Sequence, residues 1–512
     1  MAVFLIATLP ALSGQPIIGT GQDEWYNIVR GLRTLYEWGD PSYFVHPALY
    51  YEILALVYGV HWIGSLVRGG LADSYSYLDY FLTHQWPFLE LARQVSLIGG
   101  AAAVVAGTWL GAVLSGPTAA FVSGLLLASL PLLQTLGLSI RVDSLGLATM
   151  LTAALAIVRS QQLGNRRSFF MACVLIGVAA AANYPGAALL AVLGWLEYGR
   201  ADREKSWGRR MAAAGAVSFA SFLAFNPYVV LDAPAFFRWF TFVASVPLTM
   251  HPHAPEPTAW RYLQVIANQG LAVMASCLLS LTAIRRIREP LGALSIFALL
   301  YLVGFSLMRS QYDRFALPPL ALLCVTGAAV FCGYPDRRKS PLFTASVCLA
   351  LAPLILWSAA VGFRRETVWN ESDGVDYRAE MLDWIDGNVP RQALLLIESD
   401  TLPLLQTAHD EGAADRGFER ELRQAIHARH PGLPERVLKA QFVTAIYNYD
   451  PQLLDGGEVY FLASSQNREW ILSNREVLEQ PARFYDVVDR RGRLLHQNGG
   501  AHERLRLYRI LP

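Results

Sequence analysis

Charge is what this 512-residue sequence is short of: Asp, Glu, Lys and Arg make up 16% of it, against about 25% in ordinary soluble domains. Hydrophobic residues make up 54%, and the mean hydropathy is +0.31. A soluble protein of this length is thereby excluded. A basic excess is missing as well. The formal net charge of +1 excludes a nucleic-acid binder, which would carry a basic patch or stripe. Cysteine is scarce, and all five (Cys173, Cys277, Cys324, Cys332, Cys348) sit inside apolar blocks without metal-ligand spacing. This excludes a disulfide framework and a structural zinc site and leaves them to pack as small apolar residues. Neither a P-loop nor a dinucleotide-binding fingerprint stands at any strand–helix junction. The N-terminus has no basic flank, because apolar residues begin at Ala2. Residues 2–20 are read as a first span that has lost a short cytoplasmic lead.

What is present is a series of apolar blocks of about the length, ~20 residues, that a membrane-crossing helix needs. They fall near 94–115, 117–138, 143–159, 168–184, 185–199, 211–230, 264–284, 291–308, 315–333 and 341–362, which with the first span predicts eleven. Four basic clusters lie on alternate loops: Arg159/Arg166/Arg167, Arg200/Arg203/Lys205/Arg209/Arg210, Arg285/Arg286/Arg288 and Arg337/Arg338/Lys339. The positive-inside rule makes those loops cytoplasmic. Residues 20–92, Ser139–Asp143, Asn183–Gly186, 231–263, Arg309–Arg314 and the C-terminal region then lie outside, with the N-terminus cytoplasmic and the chain multi-pass in the inner (plasma) membrane.

The reading is of a polytopic α-helical membrane protein over 1–362, with a long first outer loop, and a soluble extracytoplasmic α/β domain over 363–512. Pro47–Val67 in that loop is apolar but contains Glu52 and His61, and is expected to lie along the interface. In the C-terminal domain Ala393–Glu398, Glu458–Ala463, Tyr485–Val488 and Leu505–Ile510 read as strands. Tyr377–Asn388, Arg416–Ala428 and Asn467–Leu478 read as helices, with Asp376 as an N-cap and Gly387-Asn388 closing the first.

The unusual chemistry is concentrated in the outer loops. Asp23 and Glu24, in Gly21-Gln22-Asp23-Glu24-Trp25-Tyr26, stand just beyond the first span, where a carboxylate can take the proton of an acceptor hydroxyl. A solvated acidic turn before a helix over Trp25–Tyr36 explains the same residues equally well. His46 precedes Pro47, which suits the first turn of a helix, and the aromatic run continues to Tyr50 and Tyr51. An imidazole there can meet a phosphate or sugar hydroxyl, although a His before Pro is more often a plain loop residue. Arg141 and Asp143 open the fourth span from outside, where charges are costly unless paired or functional. An interfacial arginine beside an N-capping acid is the plainer alternative. Arg309, Tyr312 and Arg314 occupy a short outer loop of a kind that is usually poor in Arg, which points to an anion such as a lipid phosphate. Arg93 at the start of the second span is a candidate for the same reason. His251-Pro252-His253 lacks a third metal ligand nearby.

These features resemble the GT-C superfamily of membrane glycosyltransferases. The resemblance rests on the Asp-Glu start of the long first outer loop, His46-Pro47 with Leu49, and Arg141-Val142-Asp143. It extends to Asn183-Tyr184-Pro185-Gly186, Asn226-Pro227-Tyr228 with Asp232, Tyr312-Asp313-Arg314-Phe315 with Pro318-Pro319, and Tyr377–Ile385. The aminoarabinose-transferase and protein O-mannosyltransferase-like group is the most similar. The resemblance implies a sugar carried on a polyprenyl phosphate, transferred outside the cytoplasm to a lipid, glycan or protein acceptor. It implies that Asp23 is the essential acid, with Glu24 beside it.

The expected reaction is a single displacement with inversion. Asp23 acts as base, Glu24 or His46 positions substrate, and one or more of Arg93, Arg141, Arg309 and Arg314 hold the lipid phosphate. Tyr50, Asp143 and Tyr312 complete the expected binding set. No cofactor is named by the sequence, and a divalent cation is left open. The rival is a transporter or lipid-carrier flippase, but no internal repeat is visible and the ionisable residues cluster at the outer surface rather than at mid-span.

Overall fold

The computed structural model describes residues 22–41, 44–70, 73–84, 86–199, 207–245, 260–308, 311–333, 377–390, 392–398, 417–429, 441–443, 451–455, 458–473, 475, 479–499 and 504–511. The first and last predicted spans, Asp376, Arg309 and the His251/His253 pair lie outside them. Contacts divide the chain into two compact units. One comprises Met1–Gly14, Gly39–Leu54 and Glu90–Thr367, and the other Gln15–Trp38, Ala55–Leu89 and Val368–Pro512.

Nine of the predicted apolar blocks fall on described residues, and helix occupies each of them. By length and composition, four described helices can cross a membrane: Leu49–Val67, Pro87–Ser115, Asp143–Leu163 and Asp313–Cys332. Pro117–Ala128 and Pro131–Leu138 make a fifth if taken as one span bent by 59°. Leu49–Val67 was expected along the interface, and its length and apolarity also suffice for crossing. About eleven spans were expected; among the described residues, from which two of those spans are missing, Pro and Gly break several of the other blocks. Pro131 removes a ladder donor. Tyr184–Ala188 tightens into a 3-10 turn, and Gly270 at φ 101° separates Arg261–Asn268 from Leu271–Thr282. The groups freed at these breaks find side-chain partners, as they must in an apolar medium. Gln269 Oε1 accepts from the Leu132 amide at 2.9 Å, and Gln134 Nε2 donates to the Ala128 carbonyl at 2.8 Å.

In the first unit, helix Arg166–Ala182 packs against Asp143–Leu163 and Trp207–Ala224, while Leu317–Cys332 packs against Leu271–Thr282, Pro290–Ser306 and Pro117–Ala128. Small residues set the spacing. A Cβ on Gly177 would overlap the Ser218 carbonyl, and one on Gly327 the Ser276 carbonyl. At these contacts serine hydroxyls donate across the interface, Ser218 to the Cys173 carbonyl at 2.7 Å and Ser276 to that of Cys324 at 3.0 Å. Close backbones bridged by hydroxyls are how helices associate where burial of apolar surface supplies no drive. Cys173, Cys277 and Cys324 are buried among these helices.

The second unit contains a five-stranded sheet of β1 (Leu394–Glu398), β2 (Gln441–Val443), β3 (Val459–Ser464), β4 (Gly492–Gly499) and β5 (Arg504–Ile510), in the order β2-β1-β3-β5-β4. β1 runs parallel to β2 and β3, and β5 antiparallel to β3 and β4. The sheet confirms the predicted strands at 393–398, 458–463 and 505–510. Tyr485–Val488, predicted as a strand, lies inside helix Glu479–Arg491. Buried Ala482, Tyr485 and Val488 repeat every three residues, which is a helical face. The predicted helix 467–478 is shorter and earlier, Ser465–Ser473. Helix Gln22–Tyr36 belongs to this unit. Glu37 Oε1 accepts from the Phe418 amide at 2.8 Å, at the start of helix Gly417–Arg429, where a carboxylate complements the exposed N–H groups. Tyr36 stacks on Trp62 and meets the Phe418 edge. Burial first, and the Glu421 carboxylate second, push its phenol well above the ordinary tyrosine range.

Candidate functional site

Within the first unit a cavity of about 660 Å³ opens between helices Arg166–Ala182 and Trp207–Ala224 and the segments around His46, Asp143 and Arg314. Ile176, Leu190, Phe219, Phe236, Phe240 and Phe242 supply apolar wall. Asn183, Tyr184 and Tyr301 join the three predicted residues as its polar lining. Such a mostly apolar space with a few convergent polar groups is the ordinary form of a small-molecule site.

Each polar wall residue is held by local structure. Arg314 belongs to the 3-10 turn Asp313–Ala316, and its guanidinium carbon stands 5.0 Å from the Tyr312 ring centre and 5.8 Å from that of Phe315. The turn is tied from outside: Tyr262 donates its hydroxyl proton to the Tyr312 carbonyl at 3.3 Å, and Arg261 pairs with Asp313 at 2.5 Å. Asp143 is the first residue of helix Asp143–Leu163, where a carboxylate is favoured by the helix dipole. Phe44 and Ala48 flank His46 and are both hydrogen-bonded to side chains from other elements: the Phe44 carbonyl accepts from the Tyr184 hydroxyl at 2.9 Å, and the Ala48 amide donates to Asn226 Oδ1 at 2.5 Å.

Tyr50 and the Arg141 backbone are brought together around a residue that the sequence did not single out. Ser96 is fully buried. Its hydroxyl lies 2.9 Å from the Tyr50 hydroxyl and accepts from the Arg141 amide at 3.3 Å, while its carbonyl accepts from Ser144 Oγ at 2.8 Å. Arg93 lies three residues earlier on the same helix, hence on the same face, and is 1% exposed. A guanidinium so deeply placed marks an anion partner or a functional role.

Glu24 lies in the second unit, on helix Gln22–Tyr36, and is 3% exposed. Asn27, Arg30, Arg33 and Thr34 of the same helix are buried with it, so the solvated acidic turn is not what Glu24 forms. Asp23 is in that helix, and its side chain lies outside the described residues, as does all of Arg309. Among the described residues no group of three or more His, Cys, Asp or Glu is arranged to hold a metal ion.

Sequence reasoning missed Ser96, Tyr184, Asn226, Arg261 and Tyr301 as parts of this assembly. Tyr184 and Asn226 stood inside noted motifs without a role. Ser96 and Tyr301 look like ordinary residues of apolar helices and carried no signal.

No protein-family model matches the sequence, and no curated protein matches it. The fold is nevertheless shared with solved GT-C glycosyltransferases. Among solved structures it is similar to ArnT from Cupriavidus metallidurans, both in the apo state and bound to undecaprenyl phosphate. The TM-score is 0.56 and the identity 15%, over 99% of this chain and 96% of that one. It is also similar to the oligosaccharyltransferase of Archaeoglobus fulgidus in its apo form, with a TM-score of 0.54 and 11% identity over 98% of this chain and 74% of that one.

Proposed function

We propose that this protein is an integral membrane glycosyltransferase that moves a sugar from a polyprenyl-phosphate donor to an extracytoplasmic lipid, glycan or protein acceptor, with inversion. The observation that supports this most is the cavity, whose aliphatic and aromatic walls suit an isoprenoid chain while Arg314 and His46 offer cationic and hydrogen-bonding groups for a phosphate. A C. metallidurans protein of the same fold has been seen with undecaprenyl phosphate.

In the proposed reaction an acceptor hydroxyl attacks the anomeric carbon as the bond from that carbon to the phosphate oxygen breaks. The hydroxyl proton passes to the Asp23 carboxylate, and the electron pair leaves with the polyprenyl phosphate. That leaving group carries charge it can already stabilise, so cations at the phosphate contribute more than a general acid. Arg314, with Arg93, Arg141 and Arg309, takes that part. Glu24, Tyr50, Asp143 and Tyr312 support substrate placement. Residues 1–362 form the membrane catalytic part and 363–512 an outer domain that receives the acceptor.

The test is transfer of radiolabelled sugar from polyprenyl-phosphate donors in membranes containing wild-type protein or the Asp23→Asn variant. Incorporation with wild type and at least a ~10²-fold loss in the variant, the lower reach of a missing general base, is the expected result. No incorporation from any donor by folded wild-type protein refutes a transferase and favours a transporter. Equal incorporation by both keeps the class and removes Asp23 as base.

A further inference from the structure

The cavity places His46 on a segment with no regular structure of its own between residues 44 and 48. Such a segment aims a side chain reproducibly only if something outside it fixes the backbone. Three contacts do so, all of them at residues two positions from His46. On its N-terminal side the Phe44 ring is fully buried and packs edge-on against Phe236 at 5.7 Å, and the Phe44 carbonyl accepts the Tyr184 hydroxyl at 2.9 Å. On its C-terminal side the Ala48 amide, one of the donors that a helix start leaves open, donates to Asn226 Oδ1.

Asn226 is well built for this. It is 1% exposed, and its Nδ2 donates to the Phe222 carbonyl at 3.0 Å at the end of helix Trp207–Ala224. The amide therefore has a fixed orientation, with nitrogen toward its own helix and oxygen toward Ala48. Only an Asn in this orientation joins a helix end on one side to a free amide on the other, since Asp lacks the donor and Leu lacks both. Pro227, next in sequence, ends the ladder that would otherwise draw residue 226 into regular helix. Tyr184 stands in the 3-10 turn Tyr184–Ala188 and itself lines the cavity.

We infer that Asn226 and Tyr184 are positioning residues, which fix the backbone on either side of His46 and thereby set where its imidazole stands in the cavity. The inference rests on the reading that His46 serves the donor site. It predicts that neither residue acts on substrate through this contact except by way of His46.

A double-mutant cycle tests it, with transfer from a polyprenyl-phosphate sugar as one readout and amide exchange over residues 44–50 in detergent-solubilised protein as the other. Asn226→Ala should lower kcat/KM by about 10- to 100-fold, the cost of a misplaced group. Tyr184→Phe, which removes one oxygen and is a safeguard if Asn226→Ala folds poorly, should lower it about threefold, as expected for a single lost hydrogen bond of modest net worth. Both should speed exchange over 44–50. In a His46→Ala background neither should cost anything further. Losses that multiply with that of His46→Ala overturn the inference, as does wild-type transfer in both positioning variants. If His46→Ala itself transfers at the wild-type rate, the donor-site reading of His46 fails. Exchange then decides the anchoring alone, and unchanged protection over 44–50 in Asn226→Ala overturns that too.

Discussion

Gly215 lines the cavity from helix Trp207–Ala224, and a Cβ built on it meets no heavy atom within 4 Å. Gly215→Leu would therefore push four carbons into open cavity, close to the five of one isoprene unit. The polyprenyl chain comes from a bilayer as apolar as the cavity wall, so displacing it forfeits no hydrophobic transfer. What it loses is close packing. At about 0.1–0.2 kcal/mol per atom pair, several contacts on each of five carbons amount to roughly 2–4 kcal/mol. About half of this is already available in lipid, which leaves about 1–2 kcal/mol, or close to tenfold in affinity. The phosphate end is untouched, so KM for the donor should rise about tenfold while kcat changes less than about twofold. Stability should move the other way, because replacing Gly by Leu inside a helix favours it by about 0.8 kcal/mol. Donor titration in the transfer assay and a thermal melt in detergent give both numbers. An unchanged KM would show that the chain does not pass Gly215, and the cavity would then lose its assigned occupant. A lowered melting temperature would show that the space is not open.

Two further predictions concern buried carboxylates. Glu197 is 1% exposed, pairs with Arg210 at 3.1 Å and accepts from Gln161 Nε2 at 2.9 Å. Arg210→Ala should cost about 2–3 kcal/mol, below the usual range for breaking a buried pair because the arginine side chain is 37% exposed. Glu197→Gln should cost less, and equal losses in thermal melts would show that the buried charge is not what matters. In the C-terminal domain Glu398 ends β1 almost fully buried, accepting from the Ser464 amide and the Tyr485 hydroxyl, both at 2.6 Å. Tyr485→Phe should destabilise this sheet by about 1.5–3 kcal/mol, read as faster amide exchange across 459–464 in the full chain. Unchanged exchange there would refute the role given to that bond.

Periodicity and charge located the helices because apolar blocks and basic loops follow from what a membrane tolerates. They did not show where a block is continuous, since Pro131 and Gly270 act on the backbone without changing hydropathy. In the C-terminal domain, β1, β3 and β5 carry enough apolar residues to be legible. β4 reads Gly-Arg-Leu-Leu-His-Gln-Asn-Gly and is a polar edge with a register irregularity between Leu494 and His496, so nothing in its composition marks it as a strand. Tyr485–Val488 misled because an aromatic and two valines favour strand locally, whereas the buried 482/485/488 spacing extends over a longer window than was weighed. For the site, charged residues at helix ends were visible, and His46, Asp143 and Arg314 do line one cavity. The residues that hold them were not visible, because a hydrogen bond such as Ala48 to Asn226 joins positions 178 apart and leaves no local pattern.

The joining of Phe418 to Glu37 carries a consequence for synthesis. The two residues lie 381 positions apart, and a ribosome adding about 5–20 residues per second needs roughly 20 to 75 s to cover that distance. Throughout that interval helix Gln22–Tyr36, with the Arg30 and Arg33 side chains that end up buried, has left the ribosome without its eventual partner helix. The nascent segment must therefore stay soluble and unproteolysed beside the membrane while successive spans insert, and termination near residue 400 would leave it so permanently. Truncated chains should consequently be cleaved by proteases at residues 22–36, far in sequence from the position of the lesion.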